Sequence, residues 1–169
     1  NGFSAEALPE VDTTLLRAAL AIEPKDGWAV HAATHVMEMQ GRIGEGIEWL
    51  VSRERDWAPD NGFAFHNFWH LALFHLDGAD HAKALELYDR AVHPGPAQML
   101  LTLVDATALL WRLVLDGADV GPRFAEVADE WESKLDGEGG NYAFNDLHAA
   151  LAFAATGRDA AMARLLQHV

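Results

Sequence analysis

The sequence of 169 residues contains no cysteine, which excludes disulfide bonds and thiolate metal ligands. Any metal site must therefore use histidine, aspartate or glutamate side chains. The absence of cysteine is compatible with a reducing compartment, and we expect a cytoplasmic protein. Basic residues are also few: 12 lysines and arginines stand against 26 acidic residues, which gives a net charge of −14. A field of that sign repels nucleic acid and anionic membranes, so we expect neither as a partner.

Two further features are missing from the sequence. No uninterrupted apolar run reaches the length of about 18 residues that predicts a membrane-spanning helix. The first residues, NGFSAEALPE, show no basic segment followed by an apolar one, so we expect no secretion signal. What is present is the composition of an ordinary folded protein, because 50% of the residues are hydrophobic and 22% are charged.

Short turn segments recur along the chain at intervals of 37 to 40 residues, at Gly41, Gly78, Gly117 and Gly157. The pentapeptide LDGAD occurs in two of them. An apolar-rich segment of helical length precedes and follows each turn, and no alternating strand pattern occurs. The pattern predicts an all-α fold, a right-handed solenoid of antiparallel helical hairpins with about nine helices.

The predicted solenoid forms a single helical-repeat domain over residues 1–169. We expect hairpins at about 10–40, 44–77, 80–116 and 121–156, and a last helix at 159–168.

The segment ALAIEP, residues 19–24, precedes a capped helix, a glycine turn and a second helix. This arrangement resembles a tetratricopeptide repeat, whose second helix ends in an Ala-Leu-x-x-x-Pro pattern that Ala19, Leu20 and Pro24 reproduce. The usual period of that repeat is about 34 residues, so the repeats of this chain are divergent.

A closer resemblance covers about residues 19–157. The segments WAVHAATHVMEMQGR, HNFWHLALFHLDGADHAKALELYDRAV and FNDLHAALAF are similar to the tetratricopeptide repeat protein 38 family. Members of that family are longer, so the resemblance implies that this chain is the C-terminal part of such a protein and that its first repeat is truncated. A hairpin cannot bury its apolar face alone, so the face that truncation exposes predicts a homodimer in which a second copy covers it. It implies a tetratricopeptide-like fold and brings no established activity with it.

The resemblance also implies which residues line the concave groove, because the first helix of each tetratricopeptide pair faces it. Counted back from Gly41, the groove positions are Trp28, His31, His35, Glu38 and Met39. The second hairpin is aligned by treating Ala79 as the equivalent of Gly41. Its groove positions include His66 and Trp69, with His70 at the edge; later hairpins add Asp105, Arg112 and His148.

Histidines dominate this predicted groove. His31 and His35, like His66 and His70, are four residues apart and share one face of a helix. Imidazole pairs at this spacing suit zinc or another divalent metal, and neighbouring carboxylates can orient the rings. The candidate metal ligands are His31, His35, His66 and His70. The candidate groove residues are Trp28, His31, His35, Glu38, His66, Trp69, His70, Asp105 and His148.

Several functions remain open for these residues. The leading hypothesis is a binding scaffold whose His- and Trp-lined groove holds a peptide or small ligand. The alternative is a metal-dependent enzyme, such as a hydrolase, although the HxxxH pairs lack the glutamate of the HExxH zinc-protease motif. The histidines could also serve only as hydrogen-bonding groups between repeats. His81, His93 and His168 fall in turns or at the chain end, and we expect them to be solvated.

Overall fold

The computed structural model describes residues 14–169 and contains, over that range, ten α-helices, one π-helical turn and no strand. The all-α prediction is confirmed for this range, while residues 10–13 of the predicted first helix lie outside it. The helices are α1 (Thr14–Ile22), α2 (Gly27–Met39), α3 (Ile43–Ser52), α4 (Glu54–Trp57), α5 (Ala64–Asp77), α6 (His81–Leu87), α7 (Leu100–Leu115), α8 (Arg123–Glu138), α9 (Ala143–Thr156) and α10 (Asp159–His168). The π-helical turn, Tyr88–Val92, follows α6 directly.

The chain divides into two compact units, and the boundary between Asn67 and Phe68 falls inside α5. In the first unit α2 packs against both α1 and α3. Val30 and Leu50 are completely buried there, and the indole N–H of Trp49 donates to the carbonyl of Val30 at 3.2 Å. The single domain over residues 1–169 stays a prediction.

The first part of the hairpin predicted over 44–77 forms two helices, α3 and α4, which are separated at Arg53. After the break, the fully buried Trp57 contacts α3: its indole N–H donates to the carbonyl of Leu50 at 2.9 Å. A buried indole needs such a partner, so satisfying Trp57 ends the longer helix.

The second unit is built around α7. The helices α7, α8 and α9 pack on one another, and α10 packs on α8 and α9. Every residue from Leu103 to Leu110 is buried. Thr107 lies within this run and accepts a hydrogen bond from the indole N–H of Trp131 at 2.8 Å.

Four helices, α2, α5, α7 and α9, end in the same way. One residue at the end of each helix adopts a left-handed conformation, with φ of 66° at Gly41, 58° at Ala79, 85° at Gly117 and 65° at Gly157. The next amide then bonds to the carbonyl five residues earlier at 2.8–2.9 Å, with Arg42, Asp80, Ala118 and Arg158 as donors. This is the Schellman arrangement. The second turn uses Ala79 rather than Gly78, as the repeat alignment predicts.

None of the helices among residues 14–169 combines the length and the apolarity that a membrane crossing requires.

Candidate metal centre

The helix α2 carries two of the four histidines, and its first turn is fixed by a side-chain cap. The carboxylate of Asp26 accepts hydrogen bonds from the amides of Trp28 and Ala29, both at 3.0 Å. From this start His31 and His35 fall one turn apart on one face. Their rings lie 4.4 Å apart between centroids and meet edge to face at 74°.

The loop before α5 determines the position of His66, the third histidine. The Asn61 side chain donates to the carbonyl of Trp57 at 2.8 Å and accepts from the amide of Phe63 at 3.0 Å. A Cβ at position 27 would collide with the side-chain amide of Asn61. Because this position is glycine, the start of α2 can approach the loop closely. The buried Asn67 adds a bond of 3.3 Å to the carbonyl of Gly27. These contacts hold the start of α5 against α2.

His31 lies at the centre of the resulting cluster. Its ring centroid is 4.8 Å from that of His66, in addition to its contact with His35. His70 follows His66 by one turn on the same helix. One ring nitrogen from each of His31, His35 and His66, which all belong to the first unit, lies within 4.8 Å of the others, so these three histidines could hold a metal ion. Nitrogens around a tetrahedral zinc ion are about 3.3 Å apart, at Zn–N distances of about 2.0–2.1 Å, so modest side-chain rotations would close the site.

Solvent reaches these three histidines to different degrees. His31 and His66 are half-buried, and the side chain of His35 is 48% exposed. His70, in the second unit, is buried. Nδ1 of His35 lies 3.5 Å from a carboxylate oxygen of Glu38, one turn further along α2. An ion held by these rings would therefore be reachable from solvent at the His35 end.

Two aromatic rings flank the histidines. Trp28 and Phe63 stack at 4.0 Å with an angle of 18° between their planes. Phe63 also meets the ring of His31 at 5.1 Å and that of His66 at 4.9 Å. Trp28 nevertheless remains 64% exposed. Trp28 and His31, both on α2, thus share Phe63 as a neighbour. The sequence patterns did not indicate Phe63.

The remaining candidate groove residues lie in the second unit. Trp69 contacts the ring of His70 at 4.9 Å, and the guanidinium of Arg112 lies 5.7 Å from the Trp69 ring. Asp105 is buried in α7. His148 is buried in α9, where Nδ1 lies 2.7 Å from the carbonyl of Phe144. A carbonyl only accepts, so this nitrogen carries the proton, and the bond fixes the ring within its own helix.

The expectation that His93 is solvated is wrong. His93 is buried, with Nε2 2.8 Å from a carboxylate oxygen of Glu130 and Nδ1 3.4 Å from the hydroxyl of Tyr88. The other oxygen of Glu130 accepts from the amide of Ala97 at 2.8 Å. Burial raises the pKa of the Tyr88 hydroxyl, so it stays protonated. No local sequence signal links His93 to Glu130, because the partner comes from a distant helix.

His81 also differs from the expectation, whereas His168 does not. One ring nitrogen of His81 lies 2.6 Å from a carboxylate oxygen of Asp116, and only part of its side chain is exposed. His168 is exposed at the end of α10.

A scan against protein-family models finds no match for this chain, and a search of solved structures finds none that matches either. The similarity to the tetratricopeptide repeat protein 38 family therefore stays a prediction.

Proposed function

We propose that this chain binds a divalent transition metal ion through His31, His35 and His66, with His70 as the fourth candidate ligand. The observation that carries the proposal is the convergence of the ring nitrogens of His31, His35 and His66 within 4.8 Å. Imidazole suits zinc, copper and nickel, whereas magnesium and calcium prefer oxygen ligands. Zinc is the ion we favour, because it accepts flexible tetrahedral sites built from histidine.

A purely structural role explains the cluster less well. Apolar rings would fill the same space, as Phe63 already does beside His31 and His66. A metal ion instead uses what only imidazoles supply, since it binds neutral rings through their lone pairs.

The number of histidine ligands decides what the ion does. Four histidines would complete a tetrahedral shell, whereas three would leave one position for water or another ligand. A water molecule on a three-histidine zinc ion ionises near neutral pH and can attack an ester or amide. The second candidate function, metal-dependent hydrolysis, is favoured by the exposure of His35, which gives solvent a route to the ion.

We further propose that the fold is a tetratricopeptide-like solenoid with a ligand groove. Four matching C-caps at Gly41, Ala79, Gly117 and Gly157 support a repeat of one structural unit. The exposed Trp28, stacked on Phe63 beside the histidines, supports a groove that receives a peptide or small ligand. Such a ligand would reach the metal ion through the open position.

Metal titration of the purified chain tests the proposal. After chelator treatment and dialysis, zinc should bind with a stoichiometry of one ion per chain in isothermal titration calorimetry. The variant His31→Ala should lose this binding, and His168→Ala, which removes an exposed histidine of α10, should keep it. A wild-type chain that binds no zinc, nickel or copper would contradict the proposal.

A further inference from the structure

We propose that Glu38 is a positioning residue that accepts a hydrogen bond from Nδ1 of His35 and so presents Nε2 of that ring to the metal ion. This inference rests on the proposed metal-binding function. It adds the identity of the donor atom, the tautomer of His35 and the role of a carboxylate that is not itself one of the proposed ligands.

The geometry of α2 carries the inference. His31, His35 and Glu38 follow one another at intervals of about one helical turn, so all three side chains leave the same face. Along α2, His31 precedes His35 and Glu38 follows it. Nδ1 of His35 is 3.5 Å from this carboxylate, while the ring itself meets His31 at 4.4 Å. The ring of His35 therefore contacts the Glu38 carboxylate and the ring of His31, another proposed ligand.

The chemistry of the two groups then selects the donor atom. An ionised carboxylate only accepts hydrogen bonds, and a neutral imidazole has one N–H. The contact with Glu38 favours the tautomer with its proton on Nδ1, which leaves the lone pair of Nε2 for the metal. Histidine ligands in metal sites commonly donate their other N–H to a carboxylate, which orients the ring and makes the ligand more basic.

The competing explanation is a simple surface ion pair between a protonated His35 and Glu38. Both groups are partly exposed, with 48% and 30% of their side chains accessible. Exposed pairs of this kind contribute little to stability. A measurement of stability alone would not separate the two explanations, whereas the protonation state of each ring nitrogen does.

Nitrogen-15 NMR of the ring supplies that measurement. Long-range ¹H–¹⁵N correlation spectra at about pH 8, above the usual histidine pKa of about 6.5, report which nitrogen of His35 carries the proton. We expect Nδ1–H in the metal-free wild type and a metal-bound signal at Nε2 after zinc is added. Glu38→Ala should lose the preference for Nδ1–H and bind zinc about 10- to 100-fold more weakly.

Two further variants separate charge from hydrogen bonding. Glu38→Gln keeps a carbonyl acceptor, so the Nδ1–H tautomer should persist and zinc affinity should fall less than in Glu38→Ala. Glu48→Gln removes the same negative charge from an exposed position on α3 and should bind zinc as the wild type does.

The outcomes distinguish this inference from the proposed function. If the wild type binds zinc but His35 uses Nδ1, or Glu38→Ala binds as tightly as Glu48→Gln, the positioning role is overturned and the metal site stands. If the wild type binds no zinc, the proposed function fails and the positioning role fails with it. A proton on Nε2 of His35 in the metal-free wild type also overturns the inference.

Discussion

The rings of His31 and His66 lie 4.8 Å apart, although one belongs to α2 and the other to the first turn of α5. This contact joins two parts of the chain that a local pattern does not connect. It exists because Asn61 and Asn67 hold the start of α5 against the start of α2, where Gly27 leaves room for the approach.

Zinc should stabilise the folded chain, because the cluster exists only in the native state. A ligand that binds the native state alone, at a free concentration 100 times its dissociation constant, adds about 2.7 kcal/mol to the free energy of unfolding. We expect thermal unfolding followed by circular dichroism to move to higher temperature with zinc and to return with chelator. His31→Phe keeps the ring volume and should abolish the shift, and an equal shift in this variant would contradict the assignment of His31.

The left-handed conformation of Ala79 predicts a stabilising substitution. A non-glycine residue in this conformation costs about 1–2 kcal/mol, so Ala79→Gly should stabilise the chain by up to about 1 kcal/mol after the greater freedom of unfolded glycine is counted. Gly157→Ala should destabilise it by about 1 kcal/mol, since a Cβ there meets no neighbour and only the backbone conformation opposes it.

Gly44→Ala is the matched control for these turn variants. Gly44 is exposed within α3, and a Cβ there also meets no neighbour, so alanine should stabilise the helix by about 0.5–1 kcal/mol. Urea unfolding measures all three variants. If Gly157→Ala and Gly44→Ala changed stability in the same direction, the assignment of the left-handed turn would be wrong.

The carboxylate of Glu130 should stabilise the segment between the π-helical turn and α7. It contacts His93 and accepts from the amide of Ala97, so Glu130→Ala leaves a buried ring nitrogen and an amide without this partner. Unsatisfied buried groups cost about 1–3 kcal/mol each, and we expect a loss of about 2 kcal/mol in urea unfolding. Glu126→Ala, at an exposed position on the same helix, should change stability by less than about 0.5 kcal/mol. Equal losses in the two variants would refute the role of Glu130.

His75 should make the chain sensitive to mild acid. Its pKa is lowered mainly because burial disfavours the charged ring, although Asp80 acts in the opposite direction. The unfolded chain therefore binds a proton at higher pH than the folded chain does. The contribution of His75 to stability is complete above the unfolded pKa of about 6.5, falls as the pH drops below that value, and stops falling below the folded pKa.

His75→Gln removes this titrating group and should flatten the pH dependence of stability below about pH 6.5. Urea midpoints measured between about pH 8 and pH 5 supply the test. His168→Gln, at an exposed histidine of α10, should leave the slope unchanged. A steeper loss of stability in His75→Gln than in the wild type would show that the sign of the shift is wrong.

The sequence predicted the helices well because their signals are local. The spacing of His31 and His35 places them on one face of α2, and Asp26 and Gly41 mark the two ends of that helix. Repeat phase also identified Ala79 as the turn residue, although the adjacent Gly78 is the more obvious candidate. These features depend on residues a few positions apart.

The features that were missed depend on packing contacts that hydrophobic periodicity does not report. The break at Arg53 follows from the hydrogen bond that the buried Trp57 makes to Leu50. The burial of His93 depends on Glu130, which lies on another helix. No periodicity within one segment contains this information, because packing decides which side chains meet.

The central claim is that the histidine cluster binds a metal ion, and X-ray absorption at the zinc edge tests it most directly. With one equivalent of zinc added to the metal-free chain, we predict a first shell of nitrogen at about 2.0–2.1 Å with the outer-shell scattering typical of at least three imidazoles. His31→Ala should lose this signature. A first shell made of oxygen, or an imidazole signature that is unchanged in His31→Ala, would contradict the claim.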